Sequence, residues 1–257
     1  WEFLAQPSVD MKQMTFHQDL ALLLPTSGST GSSKLVRLSH ENLTSNAEAI
    51  ASYLNIDEHE RAVTSLPIYY SFGLSVVNSH LAAGGSLLLT NMSVTETQFW
   101  AHFEEHQATS LAGVPYTYEL LEQIRFREWT SERPMTLTQA GGRLPPALAF
   151  EYARWVNRQG RRFYMMYGQT EASPRMAYLP SHLVEEHPEH IGIPIPGGNF
   201  RITDEEGNDV PTGEIGELVY SGPNVMMGYA ESRGDLTLGK LCHELKTGDL
   251  AVRVHHG

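Results

Sequence analysis

The stretch Thr26-Ser27-Gly28-Ser29-Thr30-Gly31-Ser32-Ser33-Lys34 (TSGSTGSSK) follows the apolar run Ala21-Leu22-Leu23-Leu24. Its composition suits an anion. Glycines leave no Cβ in the way of backbone N–H groups that converge on a charge, the hydroxyls of Ser27, Ser29, Thr30, Ser32 and Ser33 add donors, and Lys34 adds a mobile cation. A flexible Gly/Ser connector has the same composition, so this segment alone leaves both readings open. Two familiar phosphate loops are excluded. The P-loop NTPase pattern needs its lysine directly after the second glycine and a Ser or Thr after that, whereas here Lys34 follows Gly31 by three residues and precedes Leu35. Gly28 and Gly31 do not make a G-x-G-x-x-G dinucleotide fingerprint either.

Outward from this loop, apolar runs alternate with helical periodicity. Leu43, Ala47, Ile50, Ala51 and Leu54 mark one face of a helix with Ser39 as its cap. A strand over 63–66, a helix near 74–81, a strand over 86–90, a helix near 96–106 and a strand over 110–113 follow. Tyr118, Leu121 and Ile124 share one side of a helix after Pro115, Pro145 suits the first turn of another, and 161–167 reads as a strand. This order predicts helices packed on a largely parallel sheet. After residue 191 the pattern changes to short strands over 199–203, 216–221 and 250–254, separated by turns such as Glu205-Glu206-Gly207-Asn208. A smaller all-β lobe is expected, dividing the chain into 1–190 and 191–257.

Length and composition bound the partners. At 257 residues the chain buries a sizeable core, and 41% hydrophobic with 19% charged residues is ordinary for a globular protein. No apolar run is long enough to span a bilayer and the start lacks signal-peptide order, so a cytoplasmic protein without a membrane span is expected. A net charge of -12 with no basic cluster argues against nucleic acid. A nucleotide's few phosphates pose a smaller problem, met locally by N–H groups, one lysine and a divalent cation. The single Cys242 excludes an internal disulfide and a multi-thiolate metal site. The pairs His102/His106, His187/His190 and His255/His256 lack a third ligand at zinc spacing and read as solvated polar positions.

Four motifs then point one way. TSGSTGSSK resembles the Ser/Thr/Gly-rich loop of the adenylate-forming superfamily, which includes acyl- and aryl-CoA synthetases, peptide-synthetase adenylation domains and luciferases. Tyr167-Gly168-Gln169-Thr170-Glu171 resembles its Y-G-x-T-E motif, residues 213–228 its G-E-[IL]-x-[VI]-x-G-P-x-[VL]-x-x-G-Y segment, and Thr247-Gly248-Asp249-Leu250 its T-G-D. The resemblance runs from about residue 20 to 253 with the motifs in family order. It implies stacked, mainly parallel sheets with packed helices and a smaller C-terminal β-lobe formed as a distorted barrel.

The resemblance also implies roles. Thr26 to Lys34, with Gly28 and Gly31, would hold the β- and γ-phosphates of ATP. Tyr167 would lie against adenine, with Gly168 and Gln169 beside it. Thr170 would bond the α-phosphate, Glu171 would help hold Mg²⁺, and Asp249 would accept the ribose hydroxyls. Gly141-Gly142-Arg143 resembles the glycine pair that lines the acyl and adenine pockets, and Tyr70, Gly73, Val114 and Gly141 are expected pocket walls. Lys34, Thr170 and Glu171 form the implied catalytic set. The implied reaction joins a carboxylate to the α-phosphorus of ATP, expels pyrophosphate, and passes the acyl group to a thiol, CoA or a carrier protein.

Two departures refine this. Amino-acid-activating members place an aspartate where this chain reads Pro67-Ile68-Tyr69-Tyr70-Ser71-Phe72-Gly73, so a fatty or aryl acid without an α-amine is expected; an amino-acid module or a silent nucleotide-binding domain are the alternatives. Met165 stands where many members carry a polar residue for the base, leaving that recognition to backbone groups. Family members also extend beyond both ends of this sequence, so the chain is expected to be a fragment that binds ATP or acyl-AMP but turns over poorly alone.

Overall fold

The computed structural model describes residues 15–26, 34–128 and 135–254. The apolar run before the loop is β1 (Leu20–Pro25), which turns back antiparallel onto β2 (Leu35–Ser39), with Pro25 opposite Leu35 at the open end of the hairpin. Thr26 and Lys34 thus leave the same end of one ribbon. Residues 27–33, which carry the expected loop residues Ser27, Gly28, Ser29, Thr30, Gly31, Ser32 and Ser33, lie outside the described residues, as do His255 and His256.

Ser39 ends β2 and caps α1 (His40–Leu54). Its hydroxyl accepts from the Asn42 N–H at 3.0 Å while the Asn42 side chain accepts from the Ser39 N–H at 2.9 Å, which satisfies two donors that a helix start otherwise leaves orphaned. The helix stops at Asn55, whose φ of 54° is a left-handed conformation that asparagine tolerates.

Alternation then proceeds much as the sequence predicts, through β3 (Arg61–Val63), α2 (Ser71–Ala82), β4 (Ser86–Leu88), α3 (Thr97–Glu105), β5 (Ser110–Gly113), α4 (Pro115–Gln123), β6 (Thr136–Gln139), α5 (Pro146–Arg158) and β7 (Arg162–Gly168). Two strands follow, β8 (Arg175–Leu179) and β9 (Ile193–Pro194), which like β6 are absent from the sequence-based prediction. Together they form one seven-stranded sheet of order β4-β3-β5-β6-β7-β8-β9, parallel through β7, with β8 and β9 added antiparallel.

Both faces of the sheet are covered. Along β7, Phe163 and Met165 join a cluster with Phe99, Phe103, Leu121 and Tyr152 from α3, α4 and α5, while Tyr164 and Met166 join Ile50, Tyr53 and Phe72 from α1 and α2. The period of two in a strand makes that division unavoidable. A parallel sheet buried on both faces is the expected α/β arrangement.

The C-terminal part forms β10 (Asn199–Thr203), β11 (Ile215–Ser221), β12 (Gly228–Ala230) and β13 (Glu244–Val252). The expected distorted barrel is corrected here: among the described residues β10, β11 and β13 make an open three-stranded antiparallel sheet. The reason is that β12 does not close that sheet but pairs with β2, Tyr229 opposite Val36. Arg37, fully buried, holds this crossing in place by donating to the carbonyls of Met227, Tyr229, Leu238 and Gly239. Strand pairs β8–β9 and β2–β12 therefore link residues on both sides of the expected division near 190. Among the described residues no helix is long and apolar enough to cross a membrane.

Replacing Ser39 by Ala removes one half of the reciprocal cap. We expect a loss of about 1 kcal/mol, read as a lower urea midpoint with an unchanged far-UV spectrum.

Candidate active site

The cleft forms where the C-terminal ends of the parallel strands meet the open end of the β1–β2 hairpin. β7 ends at Gly168, and the chain passes through a short 3-10 turn, Thr170–Ala172, before reversing into β8. That turn is held by buried amides. Asn224 Nδ2 donates to the carbonyls of Ala172 at 2.6 Å and Arg175 at 2.8 Å, Asn46 Nδ2 donates to Arg175 O at 2.9 Å, and the Ser173 hydroxyl donates to Asn224 O at 2.9 Å. The Met226 N–H donates to Glu171 O at 2.8 Å. Asn42, one helical turn before Asn46, donates to the carbonyls of Pro223 and Val225. The segment 222–227 is thereby clamped between α1 and the turn that carries Thr170 and Glu171.

Thr247-Gly248-Asp249 lies inside β13 rather than in a turn before it. Glu217 pairs with Leu250 and Val219 with Lys246, so three residues of β13 stand opposite Leu218 alone. Gly248 takes φ +75°, which a side chain at this bulge would resist. Thr247 Oγ1 donates to Leu218 O at 2.7 Å and accepts from the Asp249 N–H at 3.1 Å. The bulge re-aims Asp249 towards β7: the Tyr167 hydroxyl donates to Asp249 Oδ2, and Gln169 Nε2 donates to Thr247 O at 2.8 Å and to Asp249 Oδ2 at 3.3 Å. Burial, and then the hydrogen bond to Asp249, push the Tyr167 phenol far above its ordinary range, so its proton stays on the hydroxyl.

Thr26, Tyr70, Gly141, Gly168, Gln169, Thr170 and Glu171, distant in the chain, line one open cleft. Ser71, Phe72, Ala140, Pro174, Arg175 and Thr247 complete its wall. Gly141 adopts φ +77°, and a Cβ there would run into the Tyr70 hydroxyl, so glycine lets the strand end and the aromatic ring approach each other. The Ser71 and Thr170 hydroxyls are 3.3 Å apart. Lys34 Nζ lies 2.9 Å from Glu231 and 5.8 Å from the Tyr229 ring centroid, while the Tyr229 hydroxyl donates to Glu171 Oε1 at 2.9 Å. Lys34 and Glu171 are thus neighbours through one tyrosine. Burial and the Glu171 bond raise the Tyr229 phenol as well, keeping it a donor.

The architecture and these motifs coincide with a known family: the model described as AMP-binding enzyme matches residues 4–230. The chain belongs to the AMP-binding enzyme family. It is 32% identical over 212 residues to a feruloyl-CoA synthase of Amycolatopsis sp, covering 82% of this chain and 42% of that protein. It is 34% identical over 255 residues to a long-chain-fatty-acid–CoA ligase of Yersinia pestis, covering 96% of this chain and 44% of that protein. Among solved structures, O-succinylbenzoate coenzyme A synthetase (MenE) from Bacillus subtilis in complex with AMP superposes with a TM-score of 0.77 at 26% identity, over 92% of this chain and 48% of that one. The chain spans less than half the length of the curated relatives it matches.

Within the AMP-binding domain several expected residues stand apart from the cleft. Gly73 is buried on α2 against the backbone of Pro67, where a Cβ has no room; its glycine serves packing and not the cleft wall. Val114 packs in the α1–α2 cluster, with its methyl near Gly141. Gly142 and Arg143 are exposed beyond Gly141. Met165 is buried in the cluster on the other face of the sheet. Two histidine pairs do acquire a nearby carboxylate, Glu105 beside His102 and His106 and Glu189 beside His187 and His190, in each case with all ligand atoms within 4.8 Å.

The residues missed by sequence reasoning are Asn42, Asn46, Asn224 and Arg175. Asn42 and Asn46 carried a readable signal, since they extend the buried stripe of α1 through Ala49 and Tyr53 with polar side chains. Asn224 and Arg175 had none, because their partners are decided by segments far away in the chain. Asn224→Ala leaves the Ala172 carbonyl without its side-chain donor and the Arg175 carbonyl with Asn46 alone, and we expect a stability loss of about 1–3 kcal/mol. Denaturant titration of the intact protein checks it, with weaker AMP binding as the companion result.

Proposed function

We propose that this chain is the nucleotide- and acid-binding part of an AMP-forming ligase that activates a carboxylic acid without an α-amine, aryl or aliphatic, and passes it to CoA. The observation that carries this reading is convergence: Thr170, Glu171 and Tyr70 line the same cleft as Thr26, with Asp249 tied to its rim through Gln169. The relatives named as CoA ligases support CoA over a carrier protein as acceptor.

The donor set fits a nucleotide with a divalent cation. Among the described residues Glu171 Oε1 accepts only from Tyr229 and Oε2 has no partner, which leaves a carboxylate oxygen facing the cleft for a hard cation such as Mg²⁺. Asp249 uses Oδ2 for Tyr167 and Gln169 and keeps Oδ1 for a pair of hydroxyl donors, as on a ribose. Mg²⁺, when bound, supplies charge neutralisation on the phosphates.

Adenylation brings one anion onto another. A carboxylate oxygen of the acid bonds to the α-phosphorus as the bond to the bridging β-phosphate oxygen breaks, and negative charge moves onto pyrophosphate. The protein's task is positioning and electrostatics. The Thr170 hydroxyl, oriented by Ser71, donates to an α-phosphate oxygen. Lys34 leaves Glu231 for the departing pyrophosphate, at small cost because exposed ion pairs are worth only about 0–1 kcal/mol. The loop hydroxyls and N–H groups of residues 27–33 receive the same phosphates.

Amino-acid activation requires a carboxylate for the substrate ammonium. Among the described residues Glu171 is the cleft's carboxylate, and its hydrogen-bond partner Tyr229 lies under Lys34, on the side of the cleft we assign to the phosphates. Acid-dependent ATP–pyrophosphate exchange by the intact protein over aryl, aliphatic and amino acids tests the reading, and exchange with amino acids alone overturns it. Asp249→Ala is expected to weaken AMP binding about 10–100-fold, the worth of hydrogen bonds to a charged group, measured by calorimetry. Glu171→Gln is expected to raise the Mg²⁺ concentration needed for half-maximal exchange.

A further inference from the structure

Arg175 opens β8 with its side chain buried, at 3% exposure, in the wall of the cleft. Guanidinium remains charged inside a protein, so its surroundings must supply compensation. Arg37, the other strongly buried arginine of this region, has it from four carbonyls. Arg175 does not. Its Nε donates to the Met166 sulfur at 3.4 Å, and its Cζ lies 3.8 Å from the Phe72 ring centroid. The buried Tyr53 phenol is a side-chain hydrogen-bond partner of the guanidinium, and among the described residues no carboxylate pairs with it. Its main chain is locked by Asn46 and Asn224, so it cannot retreat to solvent with a shift of the strand.

Its position says what the missing partner is. Arg175 lines both the nucleotide cleft and a narrow inner cavity of about 20 Å³ between α1, α2 and the sheet. The inner cavity is walled in part by Ser75, Ser79, Ser110 and Thr138, by Glu60, whose carboxylate is paired with Arg162 at 3.2 Å, and by the buried His80, whose Nδ1 donates to Val76 O at 2.9 Å with Nε2 3.3 Å from the Ser110 hydroxyl. An acid whose reacting carboxylate meets Thr170 has to direct the rest of its skeleton towards this wall. A long alkyl chain finds little volume there and would cover an uncompensated charge with methylene groups. A second carboxylate matches the planar fork of the guanidinium and supplies the opposite charge.

We propose that Arg175 is the specificity-determining residue of the acid pocket, binding the distal carboxylate of a dicarboxylic acid while the other carboxylate is adenylated. This rests on the acid-activating reading of the cleft and narrows it to a substrate class.

The test uses the intact protein in acid-dependent ATP–pyrophosphate exchange, comparing short aliphatic and aromatic dicarboxylic acids with monocarboxylic acids of the same skeleton. The expected kcat/KM preference for the diacid is about 100-fold or more, as for other sites whose polar groups are left unpaired by the wrong substrate. Arg175→Leu is expected to abolish that preference, the diacid-to-monoacid ratio falling about 100-fold, and Arg175→Lys, which keeps the charge but not the fork, is expected to lower it in part. In the wild-type protein with AMP present, a diacid raises the melting temperature and its monoacid counterpart does not. Monoacids used as well as diacids by the wild-type protein, or a ratio unmoved in Arg175→Lys, overturn the assignment of Arg175 and leave acid activation standing. Exchange with no acid of either kind, alongside retained AMP binding, overturns acid activation itself.

Discussion

The Arg175 carbonyl accepts hydrogen bonds from two buried carboxamides, Asn46 of α1 and Asn224 of the segment before β12. A reversal between antiparallel strands has carbonyls that no ladder satisfies, and burying them unpaired would cost about 1–3 kcal/mol each. These amides therefore stabilise one conformation of residues 169–175, the stretch that sets Thr170, Glu171 and Arg175 in the wall of the cleft. The same Asn224 bonds the Tyr220 hydroxyl at 2.9 Å, so the antiparallel lobe and the parallel sheet share one polar joint. Site geometry here is a product of main-chain satisfaction more than of side-chain chemistry.

Around that joint the charges are arranged by distance from solvent. Lys34, Glu231 and Asp249 are exposed, where rearrangement is cheap and ions exchange freely. Two tyrosines, 167 and 229, hold a carboxylate each by a phenol that burial keeps protonated, which pre-orients Asp249 and Glu171 without neutralising them. Arg175 is buried, with the Met166 sulfur, the Tyr53 phenol and the Phe72 ring around it and no carboxylate paired with it among the described residues. A ligand bearing phosphates at one end and an acid at the other would meet mobile cationic charge first and fixed cationic charge last.

The α/β class, the order of most elements and the locations of the nucleotide motifs were legible in the sequence, because each is local. The Ser39 cap, the apolar stripe of α1 and the glycine-flanked turns act over a few residues, and the period of two along β7 assigns its side chains to two cores without further information. The roles proposed for Thr170, Glu171 and Asp249 came from motif resemblance, which carries information on sites that composition and periodicity do not hold.

Tertiary structure decided the rest. Whether β12 would close a barrel or cross to β2 depended on a buried Arg37 finding four carbonyls from residues about two hundred positions away. Gly73 went to packing because the Pro67 backbone happens to lie against it, and Thr247-Gly248-Asp249 became a bulge because β11 supplies one residue opposite three. Arg175 drew no reading from the sequence; only the assembled walls of two cavities enclose its charge without a carboxylate partner among the described residues. Short-range propensity writes elements, whereas compensation of buried polar groups is a property of what the fold brings together.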